Sequence, residues 1–224
     1  MSRIQPLLVF SLLTGLILAQ PRIMVNLNGG YYEPKLPGFD ANDQFPSTNI
    51  FTKNILLGYG FSYQFFYNAR LGVTTLNSFQ TGKIQNGARF SRRLAYRMLT
   101  IETFFIFKKR LEWNFTLAPM WNKGVITLDT QSDNDDWNAL LSSYGNSSIP
   151  LQSGDKMKKS WFGFASFIGF RFYLFPWLAF DVKTGFMNNY YKPENWKFQG
   201  KKITGPDLKL DKLPLFTGRI IIGW

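Results

Sequence analysis

The sequence predicts an all-β fold: an eight-stranded antiparallel up-and-down barrel that crosses a membrane, with short turns at one end and four long loops at the other. Three observations carry this. Eight segments alternate apolar and polar residues, at 22–33, 51–64, 69–79, 97–108, 111–121, 161–173, 177–190 and 213–224. At about 3.3 Å per residue and a tilt near 45°, each spans roughly 25–30 Å, the height of a membrane barrel's apolar band. The gaps alternate in length: Phe65–Asn68, Lys109–Arg110 and Leu174–Pro176 are short, and Pro34–Ile50, Gln80–Tyr96, Asn122–Ser160 and Tyr191–Lys212 are long. The last segment, Leu213–Trp224, sets Phe216, Ile220, Ile222 and Trp224 on one face and Leu215, Thr217, Arg219 and Ile221 on the other. A period of two is the mark of a strand with two different faces.

Before the first strand, residues 1–20 read as a signal peptide. Arg3 precedes an apolar run from Pro6 to Ala19, and Gln20-Pro21-Arg22 marks a polar exit, with Ile17 where a small residue is usual. The run is too short to cross a bilayer as a helix, which takes about 20 residues. Residues 21–224 then form a single barrel domain, and an even strand number puts both of its ends on the periplasmic side.

Parity assigns the faces strand by strand. On 51–64, Phe51, Ile55, Leu57, Tyr59, Phe61 and Tyr63 face lipid, with Lys53 the exception, and Thr52, Asn54, Gly58, Gly60, Ser62 and Gln64 face inward. On 97–108, Leu99, Ile101, Phe105 and Phe107 face out and Glu102 in. On 111–121, Leu111, Trp113, Phe115, Leu117 and Trp121 face out and Glu112 in. On 161–173, Phe162, Phe164, Ile168, Phe170 and Phe172 face out and Arg171 in; on 177–190, Leu178, Phe180, Val182 and Phe186 face out and Asp181 and Lys183 in. Trp113, Trp177 and Trp224 fall at the periplasmic ends, and Trp121, Trp161 and Tyr190 at the outer ends, where aromatic girdles sit.

Composition agrees. Aromatic residues make up 18% of the chain, yet the mean hydropathy is only −0.13, so the rings are interleaved with polar residues as a one-sided lipid face requires. The chain has no cysteine, which removes disulfides, thiol chemistry and lipoprotein anchoring, and no histidine, which removes His- or Cys-built metal sites. The formal net charge is +12. An exported chain meets little nucleic acid, so an anionic membrane surface is the expected counter-charge.

The ending on Trp224 resembles the C-terminal strand of bacterial outer-membrane barrels, which closes on an aromatic residue as a sorting signal. The mature chain as a whole is similar in architecture to the small eight-stranded barrels of the OmpA, OmpX and OmpW type. This resemblance implies a location in the outer membrane, recognition of the last strand by the barrel-assembly machinery, and contact with outer-membrane lipid and lipopolysaccharide. A monomer is the expectation. Barrel phospholipases, palmitoyl transferases, lipid A deacylases and omptin-like proteases use a histidine; this chain departs from all of them.

The inward charges Arg70, Glu102, Glu112, Arg171, Asp181, Lys183 and Arg219 are the candidate site. Buried charges need partners, and both signs are present, so an ion-pair network filling a narrow lumen is expected in place of acid–base machinery. Register pairs Glu112 with Arg171 and Asp181 with Arg219. Met24, Met120 and Phe167 also point inward, which favours a plug over a pore. Arg89, Arg92, Arg93 and Arg97 form the tightest basic group, expected in an outer loop where guanidinium suits lipopolysaccharide phosphate. The run Asp129–Asp136 clusters carboxylates of the kind that bind Ca²⁺ but lacks the glycine and distant glutamate of an EF-hand loop, and reads first as a solvated loop. Asn114–Thr116 and Asn146–Ser148 match a glycosylation pattern by chance in this setting. Three functions fit: a non-catalytic envelope barrel, a narrow passive channel for small or hydrophobic solutes, and a lipid-modifying enzyme. The first is expected, with no cofactor and no metal.

Overall fold

The computed structural model describes residues 21–40, 45–84, 89–108, 110–129, 155–198 and 201–224. Its strands are β1 (Ile23–Tyr32), β2 (Ile55–Phe66), β3 (Ala69–Lys83), β4 (Arg89–Lys108), β5 (Leu111–Asp129), β6 (Asp155–Phe175), β7 (Leu178–Asn189), β8 (Trp196–Phe198), β9 (Lys201–Ile203) and β10 (Leu213–Gly223). Eight of them, β1–β7 and β10, form a closed antiparallel up-and-down barrel in which each strand pairs with its neighbours in the wall and β10 returns to β1. The short β8–β9 hairpin lies in the last loop and pairs with the outer part of β6. At the closure, Ile23 and Trp224 exchange backbone hydrogen bonds of 3.1 and 3.0 Å.

Two helical turns lie in the first loop, α1 (Pro37–Asp40) and α2 (Ile50–Lys53). The second corrects the expected start of a strand at 51. Asn49 caps the turn: its Oδ1 accepts from the Thr52 amide at 2.9 Å, and Thr52 Oγ1 accepts from the Asn49 amide at 3.0 Å. This reciprocal cap satisfies two otherwise orphaned donors, so Phe51, Thr52 and Lys53 belong to a helix and the sheet begins at Ile55.

The largest correction concerns the expected long loop Gln80–Tyr96. β3 runs to Lys83 and β4 starts at Arg89, with register unbroken from Ala69↔Thr103 to Lys83↔Arg89. Only 84–88 connects them, so the loop end does not carry four long loops. β5 and β6 also run past their expected ends, to Asp129 and from Asp155. Alternation continues through these extensions with its meaning reversed. On β4, the inward residues are Phe90, Arg92, Leu94 and Tyr96, all buried, and the outward ones include Arg89, Arg93 and Arg97, all exposed. A strand of 20 residues is about 66 Å long, well beyond a tilted span of the ~25 Å apolar band. Beyond the length of such a band the exterior turns polar and the apolar side turns inward.

The interior is therefore layered. At the turn end lies a small apolar floor of Met24, Tyr173, Ala179 and Ile221. Above it is a layer of charged and polar side chains. The loop half is filled by one apolar cluster, including Leu56, Leu76, Leu94, Tyr96, Met120, Phe167 and Met187, and capped by loop residues Leu36, Phe39, Trp196, Leu208 and Leu210. The cap is tight: a Cβ added at Gly205 would stand 2.2 Å from Trp196 Cδ1, so only glycine lets that loop lie on the indole.

Candidate functional site

The charged layer is built by register. Arg70 on β3 sits opposite Glu102 on β4, and Arg171 on β6 sits between Glu112 on β5 and Asp181 on β7. All are inward by parity and all are buried. Arg70 Nη1 donates to Glu102 at 2.8 Å and to Glu112 at 2.6 Å, and its Nη2 donates to the other Glu112 oxygen at 2.6 Å. Its guanidinium lies 3.6 Å from the ring centre of Phe104. Arg171 Nη2 donates to both Glu102 and Asp181 at 2.8 Å, and its Nη1 is 3.3 Å from Glu112. Lys183 donates to Glu102 and, at 2.7 Å, to Thr116 Oγ1. It reaches them from β7 because Gly169 on β6 leaves room: a Cβ there would stand 2.5 Å from Lys183 Cγ. The two arginines are bidentate or bridging, the geometry in which charge-assisted bonds are strongest.

Six of the seven expected residues thus meet in one network spanning β3 to β7. Arg219 does not join it. It is opposite Asp181 in register, but the Asp181 carboxylate is held by Arg171, with Lys183 at 3.9 Å, and no ion pair joins Arg219 to any described carboxylate. The expected Glu112–Arg171 pair is present, and the expected Asp181–Arg219 pair is replaced because two nearer cations compete for one carboxylate. Sequence reasoning also missed Tyr173. Its hydroxyl donates to Glu112 at 3.0 Å and accepts from Arg70 at 3.2 Å. Tyr173 shares the inward parity of Arg171, so the signal was there. Thr116 and Asn114, the latter 3.4 Å from Asp181, complete the layer; the buried position of Asn114 removes the first glycosylation pattern from the surface.

The basic group divides. Arg89, Arg93 and Arg97 lie on a strand, not in a loop, and face outward, while Arg92 points inward and is buried. Arg92 Nη2 donates to the Thr52 carbonyl at 3.0 Å, its guanidinium lies 5.0 Å from the Phe39 ring centre, and Nε and Nη1 have no partner among the described residues. Of the expected girdle, Trp113, Trp121, Trp177, Tyr190 and Trp224 are exposed on the exterior. Trp161 is not: it shares parity with the inward Gly163 and Ala165, packs edge-on to Tyr191, and donates to Asn189 at 3.2 Å. The expected leader 1–20, residues 130–136 of the acidic run and Asn146 lie outside the described residues. Among the described residues no three His, Cys, Asp or Glu side chains are grouped to hold a metal.

No family model matches the sequence and no curated protein matches it. Solved structures do. Neisserial surface protein A superposes with a TM-score of 0.52 at 8% identity, covering 90% of this chain and 97% of that one. The chain has the fold of a small outer-membrane β-barrel. The barrel is also similar to Ail, the attachment invasion locus protein of Yersinia pestis, solved with the heparin analogue sucrose octasulfate (TM-score 0.48, 11% identity, 92% and 98% covered). OprG, an outer-membrane protein of Pseudomonas aeruginosa, aligns with a TM-score of 0.47 at 12% identity, covering 92% of this chain and 97% of that one. At such identities the likeness concerns the fold of the barrel, not what it binds.

Proposed function

We propose that the protein is a non-catalytic integral protein of the outer membrane, with a closed lumen, that serves envelope structure or contact with lipopolysaccharide at its outer end. One observation carries the reading: the Arg70–Glu112–Arg171–Glu102–Lys183–Asp181 network ties five consecutive strands together across a lumen already narrow in an eight-stranded barrel. Such a layer holds the walls by charge where lipid surrounds them, and the apolar cluster above it leaves a crossing ion nothing to coordinate. Each carboxylate in the layer is engaged by arginine or lysine, which suits structure better than proton transfer. Export through the leader and insertion by the barrel-assembly machinery at the C-terminal strand belong to this proposal.

A planar-bilayer recording tests it. The wild-type protein is expected to show no stable single-channel openings, because permeating ions would have to displace paired charges. Steady, discrete openings would favour a passive channel instead.

A further inference from the structure

The exterior of the extended wall carries a second, separate pattern. Lys123 on β5 is flanked diagonally by Arg93 and Arg97 on β4 and by Lys158 on β6, through the register Ala95↔Lys123↔Ser160. Lys158 is directly opposite Lys197 on β8, and Lys197 is directly opposite Lys202 on β9. Diagonal neighbours lie about 7–8 Å apart and direct ones about 5 Å, and like charges set directly opposite destabilise a sheet. Arg93 is steadied by Asn77, whose Oδ1 accepts from Nε and Nη2 at 3.1 and 3.0 Å. Arg97, Lys123, Lys158, Lys197 and Lys202 make no side-chain hydrogen bond or ion pair among the described residues. Among the described residues the nearby acids stand at the margins: Asp129 ends β5, Asp155 begins β6 and Glu194 lies in the turn before β8.

Immediately below this field is the aromatic row of Trp121 and Phe162, level with Arg97, and below that the exposed apolar band of Ile101, Leu117, Phe164 and Ile168. The cations run from the height of that row to about 13 Å beyond it along the strands. Six cations gathered with no acid between them among the described residues, in contacts that repel, at the height of a lipid headgroup, call for an anion supplied by the membrane. We propose that Arg93, Arg97, Lys123, Lys158, Lys197 and Lys202 form a seat for the phosphorylated headgroup of an outer-leaflet glycolipid, whose acyl chains lie on the apolar band beneath. The proposal deepens the outer-membrane reading and rests on that placement, but it is independent of whether the lumen conducts.

The test uses the full refolded chain in neutral mixed micelles at low salt, with bis-phosphorylated lipid A as probe and the same lipid stripped of its phosphates as comparison. Lys158→Gln with Lys197→Gln is the seat variant. Lys35→Gln with Lys209→Gln, two exposed lysines of the loop end joined by a backbone bridge, is the charge-matched control. Each basic residue near an anionic lipid surface contributes about fivefold in binding, the equivalent of about 1 kcal/mol. The seat variant is therefore expected to bind lipid A about 25-fold more weakly, the control to change much less, and raised salt to narrow the difference. Without lipid the seat variant is expected to melt higher than wild type, because two repelling contacts are gone; Lys158→Met with Lys197→Met gives a second reading with the stems retained. Equal losses from seat and control, equal binding of the two lipids by wild type, or tighter binding of soluble sucrose octasulfate than of lipid A would each overturn the proposal.

Discussion

The two halves of the barrel solve opposite problems with one strand pattern. In the turn half the exterior is apolar, with Leu71, Val73, Phe105, Phe115, Phe170 and Ile220 exposed, and the interior holds the charged layer. In the loop half the exterior carries Arg93, Lys123 and Lys158, and the interior holds Leu94, Tyr96, Trp161 and Trp196. The reversal falls near the row of Arg97, Trp121 and Phe162. Parity never slips across it; only the solvent outside changes. A strand's apolar face is thus set by its surroundings, and a continuous strand can belong to a membrane span at one end and to a water-soluble sheet at the other.

The comparison can be broken by treating the two halves alike. Arg171→Leu is expected to cost about 3–5 kcal/mol in reversible urea unfolding in lipid, because Glu112 and Asp181 lose a shared buried partner; Glu112→Leu should cost a similar amount. Trp196→Ala should cost about 3 kcal/mol, with the loss confined to the loop half. Hydrogen exchange should quicken in β8 and in the residues around Leu208 while the β1–β10 closure stays protected; uniform quickening would mean the halves are one cooperative unit. Arg219→Leu should cost only about 1 kcal/mol, since Asp181 keeps its other cations. Arg92→Met should fall within about 1 kcal/mol of zero, because this buried guanidinium has one hydrogen bond to lose and an apolar setting to gain. A loss at Arg92 as large as at Arg171 would erase the contrast between the layers.

The smallest effect is a pH dependence in the first loop. Burial pushes Asp40 up, but Lys53 at 2.5 Å and Thr48 at 2.9 Å outweigh it and hold its pKa below the usual value. Its contribution is therefore present at neutral pH and lost as pH falls through the aspartate range, about 0.5 kcal/mol for so exposed a pair. Asp40→Asn should flatten that part of the acid stability curve and leave the alkaline side unchanged.

The barrel, its closure and most of the charged layer were legible in the sequence because period-two alternation and the sign of each inward residue suffice for them. What was not legible has physical causes. Residues 80–96 read as a loop because an apolar exterior was the criterion, and there the apolar residues face inward. Trp161 reads as a girdle residue from its place near a strand end, yet its parity is that of the inward face. The choice of Arg171 over Arg219 by Asp181 depends on side-chain reach across strands, which spacing does not encode. The basic wall was half seen: Arg93 and Arg97 are consecutive enough to notice, whereas Lys123, Lys158, Lys197 and Lys202 are joined only by pairing.

The central claim is the reversal of faces along one wall, and the absence of cysteine makes it directly measurable with single introduced thiols. Cysteines placed at Ile101, Phe164, Lys123 and Lys158 in the lipid-reconstituted protein should divide under a membrane-impermeant maleimide. Labelling at 123 and 158 should be fast, and labelling at 101 and 164 should be blocked by lipid and restored in denaturant. Equal labelling at all four sites in lipid would contradict the account.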